Sequence, residues 1–303
     1  MSDVILMDGG MGQELVRRSP DPLTQLWGGA VLRDHPEIVG QLHQDFLRAG
    51  ARAIMTNSYS LSRPRLARDG QEDMFEALQN RACEVACEAI DTMGADVLLA
   101  GSLPPLNGSY HPDSVPPVEE AAKQFAEIAL LQAPFVDVLI LETRSSIREA
   151  LGGLVGAKEG GKPIWLAFTT DDDDGTKLRS GEPLAEALEA ITGSENLAAI
   201  LLNCTRPESV DQGMSILADC DLPFGAYANG FSRIATNYLP GAKVDELTTR
   251  KDLIPEAYAD FALGWVEQGA TIIGGCCEVG PAHIAHLAQR LAAAGHTIEK
   301  DLP

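Results

Sequence analysis

Residues 198–204 read Ala-Ala-Ile-Leu-Leu-Asn-Cys, a short apolar run that ends in an amide and a thiol. An uninterrupted apolar run of this length is typical of a strand buried on both faces, as in a parallel sheet. Seven similar runs recur along the chain, and each ends in polar or thiol side chains. The eight predicted strands are Val4–Met7, Ala51–Met55, Asp96–Ala100, Val136–Leu141, Pro163–Phe168, Ala198–Leu202, Pro223–Tyr227 and Ala270–Ile273.

The segments between these runs are long enough for crossover helices, and alternating strands and helices indicate a parallel sheet. One segment opens at Asp34 and Pro36, repeats apolar residues at helical spacing and ends at Gly50, which suits a helix terminus. Eight strand–helix units make up a TIM barrel. The predicted fold is therefore α/β, with residues 1–303 forming a single (β/α)8 barrel domain.

The composition limits the classes of partner. The chain has 303 residues, 45% of them hydrophobic, and a formal net charge of −21 without a basic stripe. This balance disfavours nucleic acid and anionic membranes as partners. No apolar stretch reaches the ~20 residues that cross a bilayer, and the first residues lack the basic region of a signal peptide. We therefore expect a cytoplasmic protein whose six cysteines serve as thiols and metal ligands rather than disulfides.

Three cysteines are the most informative residues. Cys276 and Cys277 are adjacent and follow Gly274-Gly275, and Cys204 closes the sixth apolar run. Neighbouring side chains of a strand point to opposite faces, so we expect the glycines to let the chain turn until both sulfurs converge. Three thiolates without a fourth protein ligand describe an open zinc site that keeps a position for substrate. For any one of these cysteines alone, packing in the core is the alternative.

Polar motifs at the strand ends resemble those of the homocysteine S-methyltransferases. The similarity covers about the whole chain and includes the stretch from His43 to Ala51. It implies a zinc-dependent barrel that transfers a methyl group to the thiol of homocysteine, giving methionine, with Cys204, Cys276 and Cys277 as the Zn²⁺ ligands. The motifs are Asp8-Gly9-Gly10, Thr56-Asn57-Ser58-Tyr59, Leu141-Glu142-Thr143, Leu202-Asn203-Cys204 and Gly274-Gly275-Cys276-Cys277.

The resemblance also implies a binding site for homocysteine. Asp8 and Glu142 are the predicted partners of its ammonium group, with a turn or cap role for Asp8 and a salt bridge for Glu142 as alternatives. Gly9 and Gly10 can bring backbone N–H groups close to its carboxylate. Asn203 is grouped with these residues, although positioning the neighbouring strand end is favoured over contact with substrate.

The methyl donor is expected to be cationic, with S-methylmethionine as the first hypothesis. Aromatic faces attract sulfonium and quaternary ammonium groups. The resemblance places Trp27 and Tyr59 at the donor site, and Tyr227, Phe231 and Tyr238 are further candidates. Core or loop packing is the alternative for each of them.

Two rival functions and one oligomeric state stay open at this point. The chain could be the thiol-methylating component of a corrinoid methyl-transfer system, or a non-catalytic barrel braced by a structural zinc. A homo-oligomer is also compatible with the sequence. The acidic run Asp171–Asp174 is interpreted as a solvated turn rather than a site for a hard cation.

Overall fold

The computed structural model describes residues 3–22, 24–234 and 247–301, in which strands and helices alternate. The strands are β1 (Asp3–Leu6), β2 (Ala53–Met55), β3 (Leu98–Leu103), β4 (Val138–Arg144), β5 (Ile164–Phe168), β6 (Leu197–Asn203), β7 (Phe224–Tyr227), β8 (Ile272–Ile273) and β9 (Thr297–Ile298). The α-helices are α1 (Met11–Arg18), α2 (Gly28–Asp34), α3 (Pro36–Arg48), α4 (Arg63–Arg68), α5 (Phe75–Met93), α6 (Val118–Gln132), α7 (Ile147–Ala157), α8 (Leu184–Ile191), α9 (Pro207–Leu217), α10 (Pro255–Glu267) and α11 (Pro281–Ala293). Three short 3₁₀ turns cover Glu72–Met74, Pro112–Ser114 and Lys158–Gly160.

Strands β2 to β8 pair in parallel in sequence order, and β8 pairs with β1. A parallel bridge between Met7 and Ala53 joins β1 to β2 and closes the ring. The predicted α/β fold of the (β/α)8 type is confirmed. Strand β9, which pairs with Asp3 and Val4 of β1, was not predicted because two residues are too short for a periodic signal.

The strands separate two apolar layers. In β1, Ile5 points into the barrel, where it packs with Trp165 and Tyr227, while Val4 and Leu6 face the surrounding helices. This alternation follows from the two-residue period of a strand. Because side chains fill the barrel interior, ligands can be bound only at its ends.

The helical prediction between the first two strands is confirmed in outline. Helix α3 begins at Pro36 and ends at Arg48, and Gly50 follows with φ 104°, a conformation that glycine adopts without strain. Strand β4 runs past its predicted end at Leu141, so Glu142 belongs to the strand and not to the loop. None of the described helices has both the length and the apolar character needed to cross a membrane.

Candidate active site

The loops at the C-terminal ends of the strands enclose a cleft of about 1270 Å³, its open mouth included. The predicted residues Gly9, Trp27, Tyr59, Glu142 and the three cysteines of the proposed metal site line it. These residues come from the ends of β1, β2, β4, β6 and β8 and from the loop that follows α1. The cleft therefore brings together predicted residues that lie far apart in the sequence.

The sulfur atoms of Cys204, Cys276 and Cys277 all lie within 4.8 Å of one another. Zinc–sulfur bonds of ~2.3 Å in tetrahedral geometry place ligand sulfurs roughly 3.8 Å apart. The three cysteines are therefore close enough for one metal ion to bind all three sulfurs once each of them is a thiolate. They line the cleft, so a fourth ligand can reach the ion from the solvent side.

The sulfurs of Cys204 and Cys276 form a disulfide, with Cα atoms 5.8 Å apart, and Cys277 is a free thiol. This pairing differs from the prediction that the cysteines are thiols and metal ligands. Its physical reason is the convergence itself, because two cysteines whose sulfurs can share one metal ion need only a small movement, and an oxidant, to form a disulfide. Only thiolates bind metal, so metal binding requires the reduced pair. Burial raises the pKa of Cys277 to about 12, and a bound cation would favour its ionisation.

The glycines before the cysteine pair allow close backbone packing. A Cβ on Gly275 would stand 2.2 Å from a side-chain carbon of the following loop, and one on Gly10 would stand 2.4 Å from the Cys276 carbonyl oxygen. The Gly275 N–H donates to the Asp8 carbonyl at 3.0 Å. Neither Gly274 nor Gly275 has a positive φ. The sulfurs of Cys276 and Cys277 do converge, as expected, but the glycines contribute by letting the ends of β1 and β8 pack closely rather than by adopting a left-handed conformation.

Asn203 fixes an irregular strand end beside the sulfur cluster. Thr143 and Cys204 adopt left-handed backbone conformations with φ of 61° and 48°. Such residues cost about 1–3 kcal/mol each and persist where the surroundings determine them. The Asn203 Oδ1 accepts from the Thr143 N–H at 3.0 Å, and its Nδ2 donates to the Thr143 Oγ1 at 2.9 Å. Both ends of the amide contact the protein, which favours the positioning role for Asn203.

Two carboxyl groups are buried beside the cluster. Glu142 lines the cleft and accepts from the Ser102 hydroxyl and, at 3.4 Å, from the Tyr227 hydroxyl. Asp8 is fully buried; its Oδ2 accepts from the Met55 N–H at 2.9 Å, and its Oδ1 has no hydrogen-bond partner among the described residues. Burial raises the pKa of Glu142 to about 7 and the pKa of Asp8 well above its usual range, and the charge of Glu142 adds to the latter shift. A bound cation would favour the ionised form of both carboxyl groups and so lower their pKa values.

The alternative roles, a salt bridge for Glu142 and a turn or cap for Asp8, find little support in the structure. Glu142 forms no ion pair within 4.0 Å in the part of the chain that the structure describes. The bond from Asp8 reaches Met55 on the neighbouring strand, so it is not a local turn or cap contact. Asp8 does not itself line the cleft, whereas Gly9, Gly10 and Met55 do.

The start of α1 offers backbone donors to the cleft. The Gly10 N–H already donates to the Val279 carbonyl at 2.9 Å. Helix α1 begins at the next residue without a side-chain cap, and its Met11 and Gly12 line the cleft together with Gly9. Free N–H groups of a helix's first turn attract anions. The carboxylate of homocysteine was predicted to contact the Gly10 N–H, but the N–H groups in the first turn of α1 are better placed to bind it.

The two predicted donor residues lie side by side. The ring centroids of Trp27 and Tyr59 are 6.3 Å apart at an interplanar angle of 82°. The Tyr59 hydroxyl is 2.7 Å from the Ser109 hydroxyl, and the Arg65 guanidinium lies 5.2 Å from the centre of its ring. Because a cation already covers one face of Tyr59, Trp27 is the better candidate for a cationic donor.

The further aromatic candidates differ in position. Tyr227 is fully buried in the barrel interior, and its hydroxyl contacts Glu142. Phe231 lines the cleft. Tyr238 lies outside the described residues.

The model of the family described as homocysteine S-methyltransferase matches residues 5–291. The chain belongs to this family. Its membership agrees with the cleft, because the three cysteines and the two carboxyl groups belong to the sequence motifs that resemble this family.

Curated relatives match along almost their full length. The chain is 30% identical to the homocysteine S-methyltransferase of Escherichia coli (strain K12), with 95% of each chain covered. It is 27% identical to the homocysteine S-methyltransferase YbgG of Bacillus subtilis (strain 168), over 94% of this chain and 93% of the relative. It is also similar to the selenocysteine Se-methyltransferase of Brassica oleracea var. italica, at 25% identity over 95% and 89% of the two chains.

Among solved structures, the metallated form of the homocysteine methyltransferase MmuM from Escherichia coli superposes with a TM-score of 0.79. The identity is 27%, and 95% of this chain and 96% of that chain are covered. The oxidized form of the same protein gives the same TM-score at 26% identity. The sequence and the fold thus place the chain in one family.

In this family member, sequence analysis missed an ion pair behind Cys204. The Arg179 guanidinium lies 3.0 Å from Asp172, donates to the Cys204 carbonyl at 3.4 Å and covers the Tyr110 ring at 4.7 Å. The other Asp172 oxygen accepts from the Ile234 N–H at 2.7 Å. The prediction of a solvated acidic turn is therefore wrong for Asp172, which is 5% exposed. The sequence signal for this ion pair was the presence of Arg179 shortly after the acidic run.

Proposed function

We propose that this protein transfers a methyl group from a cationic donor to the thiol of homocysteine, giving methionine. The observation that carries the proposal is the convergence of three cysteine sulfurs with the buried Glu142 carboxyl in one cleft. Family membership supports the same reaction. We further propose that residues 1–303 form one barrel domain, since all described strands belong to one sheet.

Zn²⁺ is the metal that suits this donor set, with Cys204, Cys276 and Cys277 as its ligands. When bound, the ion would lower the pKa of the homocysteine thiol so that it reacts as a thiolate near neutral pH. The open side of the cluster faces the cleft. A purely structural zinc, by contrast, is closed by a fourth protein ligand.

The protein's own groups orient the amino-acid end of homocysteine. The Glu142 carboxylate pairs with the ammonium group, and the buried Asp8 carboxyl group lies close enough to interact electrostatically with Glu142. The N–H groups at the start of α1 receive the carboxylate. Because the ammonium and carboxylate groups of homocysteine are both held, its sulfur has fewer orientations available, and aligning it with the methyl donor costs less entropy.

The donor is a sulfonium in the favoured version of this proposal, with S-methylmethionine as the first compound to test. Trp27 presents the aromatic surface that attracts the cation. The homocysteine sulfur forms a bond to the methyl carbon while the bond from that carbon to the sulfonium sulfur breaks. The electron pair of the broken bond stays on the departing sulfur, which leaves as a neutral thioether.

X-ray absorption at the zinc edge, with and without homocysteine, tests the proposal. We expect three sulfurs and one light atom to become four sulfurs when the thiol is added. An unchanged shell would overturn the open-site assignment in favour of a structural zinc. Methionine formation by the purified protein from homocysteine and S-methylmethionine, with no other protein added, would exclude dependence on a corrinoid partner.

A further inference from the structure

Two glutamines lie fully buried between the barrel and its helices, outside the cleft. Gln79 belongs to α5, and Gln132 is the last residue of α6. Burying an amide costs free energy unless it is hydrogen-bonded, and the surrounding layer is otherwise apolar. The two buried amides therefore have a role beyond packing.

The Gln132 amide reaches the back of β3. Its Nε2 lies 2.7 Å from the Gln79 Oε1, 3.1 Å from the Ser58 Oγ and 3.1 Å from the Ser102 carbonyl oxygen. Gly101 makes room for it, since a Cβ there would stand 2.4 Å from the Gln132 Oε1. That Oε1 has no hydrogen-bond partner in the described structure. The side chain is thus used for its N–H groups.

These contacts lead directly to Glu142. The Ser58 hydroxyl donates to the Ser102 carbonyl at 2.9 Å, and the Ser102 N–H donates to the Thr56 Oγ1 at 3.0 Å. Both polar groups of the Ser102 backbone are therefore fixed by side chains. The Ser102 hydroxyl, on the opposite face of β3 from Gly101, donates to the Glu142 carboxyl group.

We propose that Gln132 is a positioning residue for homocysteine: through Ser58 and Ser102 it fixes the Glu142 carboxyl group in the orientation that receives the substrate ammonium. This inference rests on the proposed function. It assigns a role in substrate affinity to a helix residue that does not line the cleft. An apolar side chain at position 132 would fill the same space but leave the Ser102 carbonyl held by one donor instead of two.

The test uses the full-length, zinc-loaded protein and the variant Gln132→Met. We expect the KM for homocysteine to rise roughly tenfold, the effect of one lost buried hydrogen bond. The KM for the donor and the zinc content should stay as in the wild type. The matched control is Ile128→Met, a buried packing change one turn earlier on α6, which should not separate the two KM values.

Two further variants keep the test decisive. Gly101→Ala displaces the Gln132 amide from the other side and should give the same change in KM if Gln132→Met does not fold. Adding Gln132→Met to Ser102→Ala should change the homocysteine KM little, because the route through Ser102 is already cut.

An unchanged homocysteine KM in Gln132→Met, with stability lowered as in Ile128→Met, would overturn the inference and leave Gln132 a packing residue. Equal increases in both KM values, or additive effects with Ser102→Ala, would also contradict it. Failure of the wild-type protein to methylate homocysteine would instead refute the proposed function.

Discussion

Glu142→Gln is the most direct test of the substrate site. Glutamine keeps the shape of the side chain, and its amide oxygen can still accept from Ser102. The variant thus removes the charge while leaving the local packing in place. Glu142 forms no ion pair within 4.0 Å with another described residue, so until a substrate ammonium arrives its charge is offset only by two hydroxyl donors and, from a greater distance, by the buried Arg144 guanidinium.

The size of the effect follows from that single contact. A hydrogen bond to a charged group contributes about 1.5–3 kcal/mol, and each 1.4 kcal/mol is a factor of ten. We expect the KM for homocysteine to rise roughly 10- to 150-fold, with zinc content unchanged. The pKa of Glu142 lies at about 7, and only the carboxylate pairs with ammonium. In the wild type, therefore, the homocysteine KM should fall as the pH rises through about 7, and in Glu142→Gln this dependence should weaken to that of the substrate thiol alone.

The assay is methionine formation at saturating donor over a series of homocysteine concentrations, across roughly pH 6 to 9. Metal analysis of the same samples reports zinc, and a donor titration at saturating homocysteine is the control. An unchanged homocysteine KM would refute the assignment of Glu142 to the ammonium group. Loss of zinc would show that Glu142 supports the metal site instead.

Four further outcomes are expected. Glu142→Gln should raise the free energy of unfolding by on the order of 3 kcal/mol at pH 8 and by little at pH 4, measured by urea titration. A carboxyl group whose pKa is raised by burial destabilises the fold once the pH exceeds its unfolded pKa. Cys277→Ala should lose zinc and turnover together, and full activity in this variant would contradict the ligand set. Trp27→Leu should raise the donor KM about fivefold without changing the homocysteine KM, as steady-state kinetics would show. Arg179→Met should lower the free energy of unfolding by about 3–5 kcal/mol because it leaves Asp172 buried and unpaired, and Asp172→Asn in the same background should recover part of the loss.

Most of the site residues identified from the sequence share one property: they lie at or just after the end of an apolar run, whereas Trp27 was assigned through the family resemblance alone. Cys204 and Glu142 could be assigned to strand ends because the hydrophobic pattern locates the strands and parallel strands end on one rim. The convergence of Cys204 with Cys276 then followed from the barrel order. The backbone path after Gly274 could not be predicted, since it depends on how closely β1 approaches β8.

Other residues carried no local signal. Arg179 contacts groups from three separate loops, and an acidic run such as Asp171–Asp174 looks the same whether or not one member is buried. In the sequence, Gln132 and Gln79 are each a single polar residue within a helical pattern. Their meaning depends on a pairing between α5 and α6 that hydrophobic periodicity does not encode.

Strand β1 has consequences for the order in which the molecule folds. It pairs with β8 and β9, which lie near the far end of the described chain, and its links to β2, the next strand in sequence, are the Met7–Ala53 bridge and the hydrogen bond between Asp8 and Met55. Pairings between distant segments form slowly because they must first close long loops. As synthesis proceeds from the amino end, β1 must wait for residues 272–298, so the Asp8–Gly10 side of the cleft forms last. A circularly permuted chain that starts just before β8 would make β8, β9, β1 and β2 in succession, and we would expect its barrel to close sooner.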